Sequence, residues 1–143
     1  HSNLVSNSVS KIARIPSIRK ALLPIQRRLI FNCPHSLVLV GGRDICSKIL
    51  PSGFSDIKLF IDAKVKLRAK RRYLELQKRK NETNLDFDEI YKALKARDLA
   101  DKTRKVSPLK KTKDSILIRN DSNGISRALK KIVFLIESEI RKN

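Results

Sequence analysis

Three charged residues in the segment 95–109, which reads KARDLADKTRKVSPL, have the types and the spacing to bind a phosphorylated ligand. They are Arg97, Asp101 and Arg104, at positions i, i+4 and i+7, so on a helix they project from one face. Arg binds phosphate through two parallel N–H donors, and Asp accepts hydrogen bonds from hydroxyl groups. Such a face suits a small anion bearing hydroxyls, of which a nucleotide is one example. Taken alone, the segment is explained equally well by a salt bridge on the surface of a helix.

A second cluster is the GGRD sequence at 41–44. It follows the apolar run SLVLV at 36–40, which predicts a buried strand that ends in a tight loop. Ligands of open α/β sheets bind at the carboxyl ends of strands, so Arg43 could hold a phosphate there and Asp44 could accept a hydrogen bond from an exocyclic amine. A turn closed by an Arg–Asp salt bridge is the alternative.

A third cluster is the basic stretch KVKLRAKRRYLELQKRK at 64–80, which predicts a helix. Arg68 and Arg72 fall at i and i+4, with Arg71 on the adjoining face. Like charges at that spacing repel, so a bound polyanion would explain them, and an RNA-binding face would serve equally well. A solvated basic helix is the remaining alternative.

The composition narrows the class of ligand without choosing one. The chain has 143 residues, enough for one domain, and its 33 Lys and Arg against 14 Asp and Glu give a net charge of +19. Such an excess indicates nucleic acid, anionic membrane or phosphorylated metabolites as partners, although a bias in the genome explains part of it. Cys33, Cys46 and the two His residues lack metal-ligand spacing, so no metal site is predicted. The absence of a long apolar run favours a soluble cytoplasmic protein.

Strands and helices alternate along the chain, as in an α/β fold with a parallel sheet. Beyond 36–40, strands are predicted at 57–61 and 115–118, and a polar loop at 78–88 joins two arms of a helical hairpin. Helices are predicted in the N-terminal part, broken at Pro16, and at 125–141, where the segment 121–123 supplies caps.

The three clusters, with LRAKRRYLELQ at 67–77 as the core of the third, resemble in order and spacing the bacterial cytidylate kinase family. The run NSVSKIARIPSIRKALLPIQR at 7–27 is similar to that family's base-binding segment. The resemblance implies an α/β fold of the P-loop nucleoside-monophosphate-kinase type, a parallel sheet with a helical lid. It divides the chain into four parts. Residues 1–35 are the helical part of the base-binding region, and residues 36–63 are core strands with the GGRD loop. Residues 64–97 are a helical lid, and residues 98–143 are a C-terminal strand and helix of the core.

The same resemblance implies a role for each candidate residue. Those expected at the cytosine edge are Ser10, Arg19 and Asp44. Arg43 and Arg104 are expected to bind the phosphate. Arg97 and Asp101 are expected near the ribose and the phosphate. The residues expected on the lid, facing ATP, are Arg68, Arg71 and Arg72. The residues expected to be catalytic are Arg68, Arg72 and Arg104, which would offset charge on the transferring phosphoryl group.

The implied reaction moves a phosphoryl group from ATP, with Mg²⁺ held through the ATP, to CMP or dCMP. The resemblance implies a cytoplasmic enzyme, monomeric when complete, without a specific nucleic-acid or membrane partner.

Two departures from the family qualify the resemblance. Cys46 stands where the family has Gly, and no Gly-Lys pair occurs in the 143 residues, so the sequence contains no phosphate-cradling P-loop. We therefore expect a C-terminal portion of a cytidylate kinase, whose strands are not all neighbours and which does not transfer phosphate alone. A small basic RNA-binding or ribosome-associated protein without catalysis is the alternative.

Overall fold

Two parallel strands and the helices around them form the described part of the molecule. A computed structural model describes residues 12, 15–54, 57–80, 85–121 and 126–142. The elements are α1 (Pro16–Phe31), a π-helix (Ile45–Ile49), β1 (Leu59–Asp62), α2 (Val65–Lys80), α3 (Phe87–Thr103), β2 (Ile116–Arg119) and α4 (Ser126–Ile140). The predicted α/β class with a parallel sheet is thereby confirmed.

The sheet places the carboxyl ends of its strands at one edge. β1 and β2 pair in parallel from Leu59 opposite Ile116 to Asp62 opposite Arg119. At the centre of β2, Ile118 is 1% exposed. Because α2 begins directly after β1, the sheet directs the first turn of this basic helix to the edge at which α/β proteins bind ligands.

Helix α1 is fixed against the segment that follows the GGRD loop. Pro16 occupies the start of the helix, where its missing N–H costs nothing, and the helix continues through Pro24. Arg27 donates from Nε to the carbonyl oxygen of Ile49 at 2.8 Å and lies over the ring of Phe54, 5.3 Å from its centroid. These contacts hold α1 beside the π-helix, which begins immediately after Asp44.

Helices α2 and α3 form the predicted hairpin. Tyr73 meets Phe87 edge to face with ring centroids 6.2 Å apart, and Phe87 stacks on Tyr91 at 6.4 Å. The side chain of Asp86 caps α3 by accepting from the backbone N–H of Asp88 at 2.8 Å. Helix α3 runs past Arg97, where the lid was expected to end, as far as Thr103.

One local prediction, the strand at 36–40, was wrong. Residues 36–40 form no strand, and within the described chain they pair with none; Leu37 and Leu39 are 54% and 79% exposed. An apolar run supplies side chains for a strand, but a strand exists only with a hydrogen-bonded neighbour. The caps expected from the segment 121–123 stay a prediction, because residues 122–125 lie outside the described residues; the carboxylate of Asp121 accepts from the backbone N–H of Lys64 at 2.7 Å.

The backbone conformation bears on one departure from the family. Among the described residues, Ser107 is the only non-glycine with a positive φ, so Cys46, in the π-helix, does not require the freedom of glycine. No helix of the described segments is both long and apolar enough to cross a bilayer.

An ion pair between buried Lys58, just before β1, and Asp114 is expected to make the stability of the fold depend on pH. Lys58 is 6% exposed, and its ammonium pairs with the carboxylate of Asp114, which also accepts from Ser52 Oγ at 2.9 Å. Hydrogen bonds from Lys58, then from Thr112 and Ser52, hold the pKa of Asp114 well below its usual range. A depressed carboxylate pKa stabilises the fold above the unfolded value, about 3.9, and this stabilisation is lost progressively as the pH falls below it.

We therefore expect the Tm of the chain to fall between pH 6 and pH 3, and the Lys58→Met variant to lose a few degrees less over that interval. Differential scanning calorimetry at several pH values measures this. Lys113→Met, at an exposed lysine beside Asp114, is the matched control and should follow the unsubstituted chain. Equal pH slopes for the unsubstituted chain and the Lys58→Met variant would contradict the expectation.

Candidate active site

The first part of the candidate site is an ion pair between α1 and the GGRD loop. Arg19 donates from Nη2 to Oδ2 of Asp44, and the two side chains are 19% and 13% exposed. The structure thus brings together two of the three residues expected at the base. The third, Ser10, lies outside the described residues.

Ser107 joins this pair to a second group of charges. Its Oγ accepts from Arg19 Nε at 3.2 Å, and its carbonyl oxygen accepts from Arg104 Nε at 2.6 Å. Ser107 is buried, and its φ of 51° lies in the left-handed region, which costs a non-glycine residue on the order of 1 kcal/mol. Burial lowers the pKa of Arg19, and the nearby charge of Arg104 lowers it further. Because both guanidiniums donate to Ser107, their charges are close enough to repel each other.

Asp101 contacts two arginines, and one of its two carboxylate oxygens is buried without a well-aligned hydrogen bond within the described part of the chain. Its Oδ1 accepts from Arg104 Nη1 at 3.3 Å, while Oδ2 lies 2.8 Å from Arg43 Nη1. Oδ2 is nevertheless buried and receives no well-aligned hydrogen bond from the described residues. A buried carboxylate oxygen in this state favours a donor from a ligand, such as a hydroxyl group.

Asp98, on the same helix, binds Arg68 of α2. Arg68 donates from Nη1 to Oδ1 of Asp98 at 3.1 Å and from Nη2 to Oδ2, and its Nε donates to the carbonyl oxygen of Ala63 at 2.9 Å. Arg43 Nη1 lies 3.7 Å from the same Oδ1. Although burial opposes it, the hydrogen bonds and charge of Arg68, then the charge of Arg43, lower the pKa of Asp98.

The structure does not bring every predicted residue to this cluster. Arg97 is exposed and forms no ion pair with the residues that the structure describes. Arg72 binds Glu75 on its own helix at 3.0 Å. Arg71 donates to Asn120, at 3.0 Å to the backbone oxygen and 3.3 Å to the side-chain oxygen, which ties α2 to the end of β2.

Sequence reasoning missed Asp98 and Ser107. Asp98 follows Arg97 directly, and on α3 it shares a face with Asp101 at i and i+3, a spacing that could have shown it. Ser107 carried one weak signal, its position before a proline just after the predicted helix. Its role depends on a backbone carbonyl and a left-handed turn, which no spacing of residue types encodes.

A cavity lies beside one member of the cluster, at Arg104. This cavity of about 350 Å³, at the end of α3, shares only Arg104 with the cluster; its lining residues are Ala100, Thr103, Arg104, Lys105 and Val106. Within the described segments, no group of three or more His, Cys, Asp or Glu side chains is placed to hold a metal ion.

Four guanidiniums and three carboxylates make up the cluster, which leaves a net positive charge; the members are Arg19, Arg43, Arg68, Arg104, Asp44, Asp98 and Asp101. Fixed guanidinium donors in this number suit the oxygens of a phosphate group. Fold and cluster together define an α/β protein with an arginine-rich group of charges beside its lid-like hairpin α2–α3 and the GGRD loop.

Comparison with known proteins specifies the family. The family model for cytidylate kinase matches residues 1–138. The cytidylate kinase of Pasteurella multocida is 36% identical over 136 residues, and that of Bartonella henselae 38% over 140 residues. A bifunctional pantoate ligase/cytidylate kinase of Prochlorococcus marinus is 36% identical over 138 residues. The chain belongs to the cytidylate kinase family.

The match covers most of this chain but only part of each relative. It takes in 95% of the chain against 57% of the P. multocida protein, and 98% against 62% of the B. henselae protein. The matched part is the C-terminal portion of these relatives.

Proposed function

We propose that this chain supplies the CMP-binding and lid portions of an ATP:CMP phosphotransferase, which makes CDP and, from dCMP, dCDP. One observation carries the proposal: the Arg19–Asp44 pair is joined through Ser107 to the arginine and aspartate side chains around Asp101. The site would thus bind an amine through the carboxylate of Asp44 and a phosphate through the guanidiniums around Asp101.

The base would be recognised by Asp44 and Arg19, together with Ser10. Asp44 Oδ2 is bonded to Arg19, while Oδ1 has no hydrogen bond within the described chain and can accept from the exocyclic amine of cytosine. Arg19 and Ser10 would donate to the ring acceptors N3 and O2. Uracil presents O4 in place of the amine, which would set two acceptors against each other and weaken its binding.

The phosphate and the ribose would be bound around Asp101. In this proposal Arg43 and Arg104 bind the phosphate, since both are fixed on Asp101 and retain further N–H donors. Asp101 Oδ2, the buried oxygen without an aligned donor, would accept from a ribose hydroxyl. Arg97, on the exposed side of α3, would reach the ribose and phosphate only through movement of its side chain.

Phosphoryl transfer would depend on positioning and charge rather than on acid or base chemistry. Arg68 and Arg72 on the lid, with Arg104 on the core side, would offset the charge that develops on the transferring group. ATP with Mg²⁺ would supply that group, and Arg71 would face it from the lid only after leaving Asn120. Of the lid arginines, Arg68 stands within the cluster, whereas Arg72 would have to leave Glu75.

Nucleotide titration tests the proposal. Isothermal titration calorimetry of the chain should show CMP binding at least about 100-fold tighter than UMP, because a polar group facing the wrong partner is heavily penalised.

A chimaera joining the unmatched N-terminal portion of the P. multocida protein to residues 1–143 should form CDP from ATP and CMP. RNA binding that weakens steeply with salt, without preference for CMP over UMP, would instead support a basic RNA-binding protein.

A further inference from the structure

Asp98 lies where the lid helix, the GGRD loop and α3 meet. Its carboxylate receives Arg68 Nη1 at 3.1 Å on Oδ1 and Arg68 Nη2 on Oδ2. Arg43 Nη1 approaches the same Oδ1 at 3.7 Å. A single carboxylate therefore contacts guanidiniums from two separate segments of the chain.

This carboxylate offsets a repulsion that its two partners would otherwise feel. Two guanidiniums whose Nη1 atoms lie 3.1 Å and 3.7 Å from one oxygen atom are near enough to repel in a partly buried site, and the Asp98 side chain is 17% exposed. The hydrogen bond from Arg68 raises the pKa of that arginine and helps to lower the pKa of Asp98. Arg68 and Asp98 thus stay charged together at neutral pH.

The geometry leaves donors on both arginines for an anion. A guanidinium has five N–H groups, and Arg68 commits one to Ala63 and two to Asp98. Arg43 Nη1 lies 3.7 Å from Oδ1 of Asp98 and 2.8 Å from Oδ2 of Asp101. Each guanidinium is fixed on one side and retains N–H groups on another, which is the arrangement that preorganises donors for a phosphate.

We propose that Asp98 is a positioning residue that holds Arg68 of α2 and Arg43 of the GGRD loop at one separation, so that both bind the same phosphate group. The inference rests on the proposed function and adds to it, since Arg68, which acts there on the transferring group, would also contact the CMP phosphate that Arg43 binds. Asp98 itself does not touch the ligand; it acts through the two arginines.

Inorganic phosphate is the probe that tests this role, because charge and position predict opposite results. Removal of a carboxylate beside an anion site should tighten phosphate binding if charge alone mattered. If Asp98 positions the arginines, the Asp98→Asn variant should bind phosphate about tenfold more weakly, as measured by calorimetry at constant ionic strength. Asp98→Glu, which restores the carboxylate, should recover most of the loss.

Asp88→Asn is the matched control, since it removes an exposed carboxylate from the same helix. Its phosphate affinity should equal that of the unsubstituted chain within about twofold, whereas that of Asp98→Asn should be about tenfold weaker. Unchanged or tighter phosphate binding by the Asp98→Asn variant would overturn the proposal, even if the variant is less stable, because a merely structural role moves Tm and not affinity.

A measurement on the unsubstituted chain keeps the test independent of folding in the variants. NMR of the arginine Nε–H groups during phosphate titration should show the signals of Arg43 and Arg68 shifting with one common midpoint. A shift of only one signal, or of neither, would refute the shared site. Phosphate binding through both arginines without preference for CMP over UMP would reject the proposed function alone, and strong CMP preference without the Asp98 effect would reject this inference alone.

Discussion

Substitution of Asp44 by alanine is expected to weaken CMP binding by about 100-fold and to abolish most of the preference for CMP over UMP. The carboxylate is 13% exposed, so a hydrogen bond between it and an exocyclic amine would form largely out of water. A charge-assisted hydrogen bond of this kind contributes about 1.5–3 kcal/mol, and loss of the pair with Arg19 adds to the effect. UMP, which gains nothing from the carboxylate, should lose little.

The Asp44→Asn variant sharpens this expectation because its amide keeps the shape of the side chain. The amide nitrogen can donate to O4 of uracil, so the ratio of CMP to UMP affinity should fall further than in Asp44→Ala. Calorimetric titration of both nucleotides measures the ratio. Equal losses of CMP and UMP affinity in both variants would show that Asp44 only holds the loop.

A structural control is available for the same variants. The carbonyl oxygen of Asp44, not its side chain, accepts from the backbone of the π-helix, for example from Lys48 N at 2.9 Å. The π-helix should therefore persist in both variants, with a circular dichroism spectrum like that of the unsubstituted chain. The carboxylate control Asp88→Asn should retain the CMP preference in full.

The elements that sequence reasoning placed well are those with a local physical cause. The periodicity of the apolar residues predicted the last helix, which the structure places at Ser126–Ile140, and the polar run at 78–88 indicated a hairpin of helices. The two paired strands begin and end one or two residues later than predicted, since a strand boundary depends on its neighbour. The predicted strand at 36–40 was wrong for the same reason, because no pairing partner is among the described residues.

The candidate site was predictable in part, and α3 shows why. The spacing of Arg97, Asp101 and Arg104 defines one face only if all three are helical, but Arg104 is the C-cap of α3, with ψ of 140°. Consecutive helical residues differ by about 100° in direction, so the face toward the lid passes through Asp98 and leaves Arg97 exposed. Sequence spacing gives the angle between residues, whereas tertiary packing decides which of them faces inward.

Arg104 is the residue for which we expect the largest loss of turnover. It is 13% exposed and fixed on both sides, by the Ser107 carbonyl at 2.6 Å and by Asp101 Oδ1 at 3.3 Å. Burial and then the nearby charge of Arg104 lower the pKa of Arg19, so the charge of a transferring phosphoryl group would stabilise both guanidiniums. Fixed donors at such a position contribute most when charge develops in the transition state.

In the chimaera with the P. multocida N-terminal portion, Arg104→Met should lower kcat by about 100-fold to 1000-fold, with a smaller change in KM for CMP. Arg104→Lys should recover only part of the loss, since the ammonium keeps the charge but cannot bridge Ser107, Asp101 and a phosphate with one planar fork. The neighbouring exposed Lys105→Met variant removes the same charge from the surface and should keep the parent kcat. Coupled spectrophotometric assay of nucleoside diphosphate formation measures all three. If Arg104→Met changed KM alone, the arginine would bind CMP without acting on the transferring group, and its place among the catalytic residues would be withdrawn.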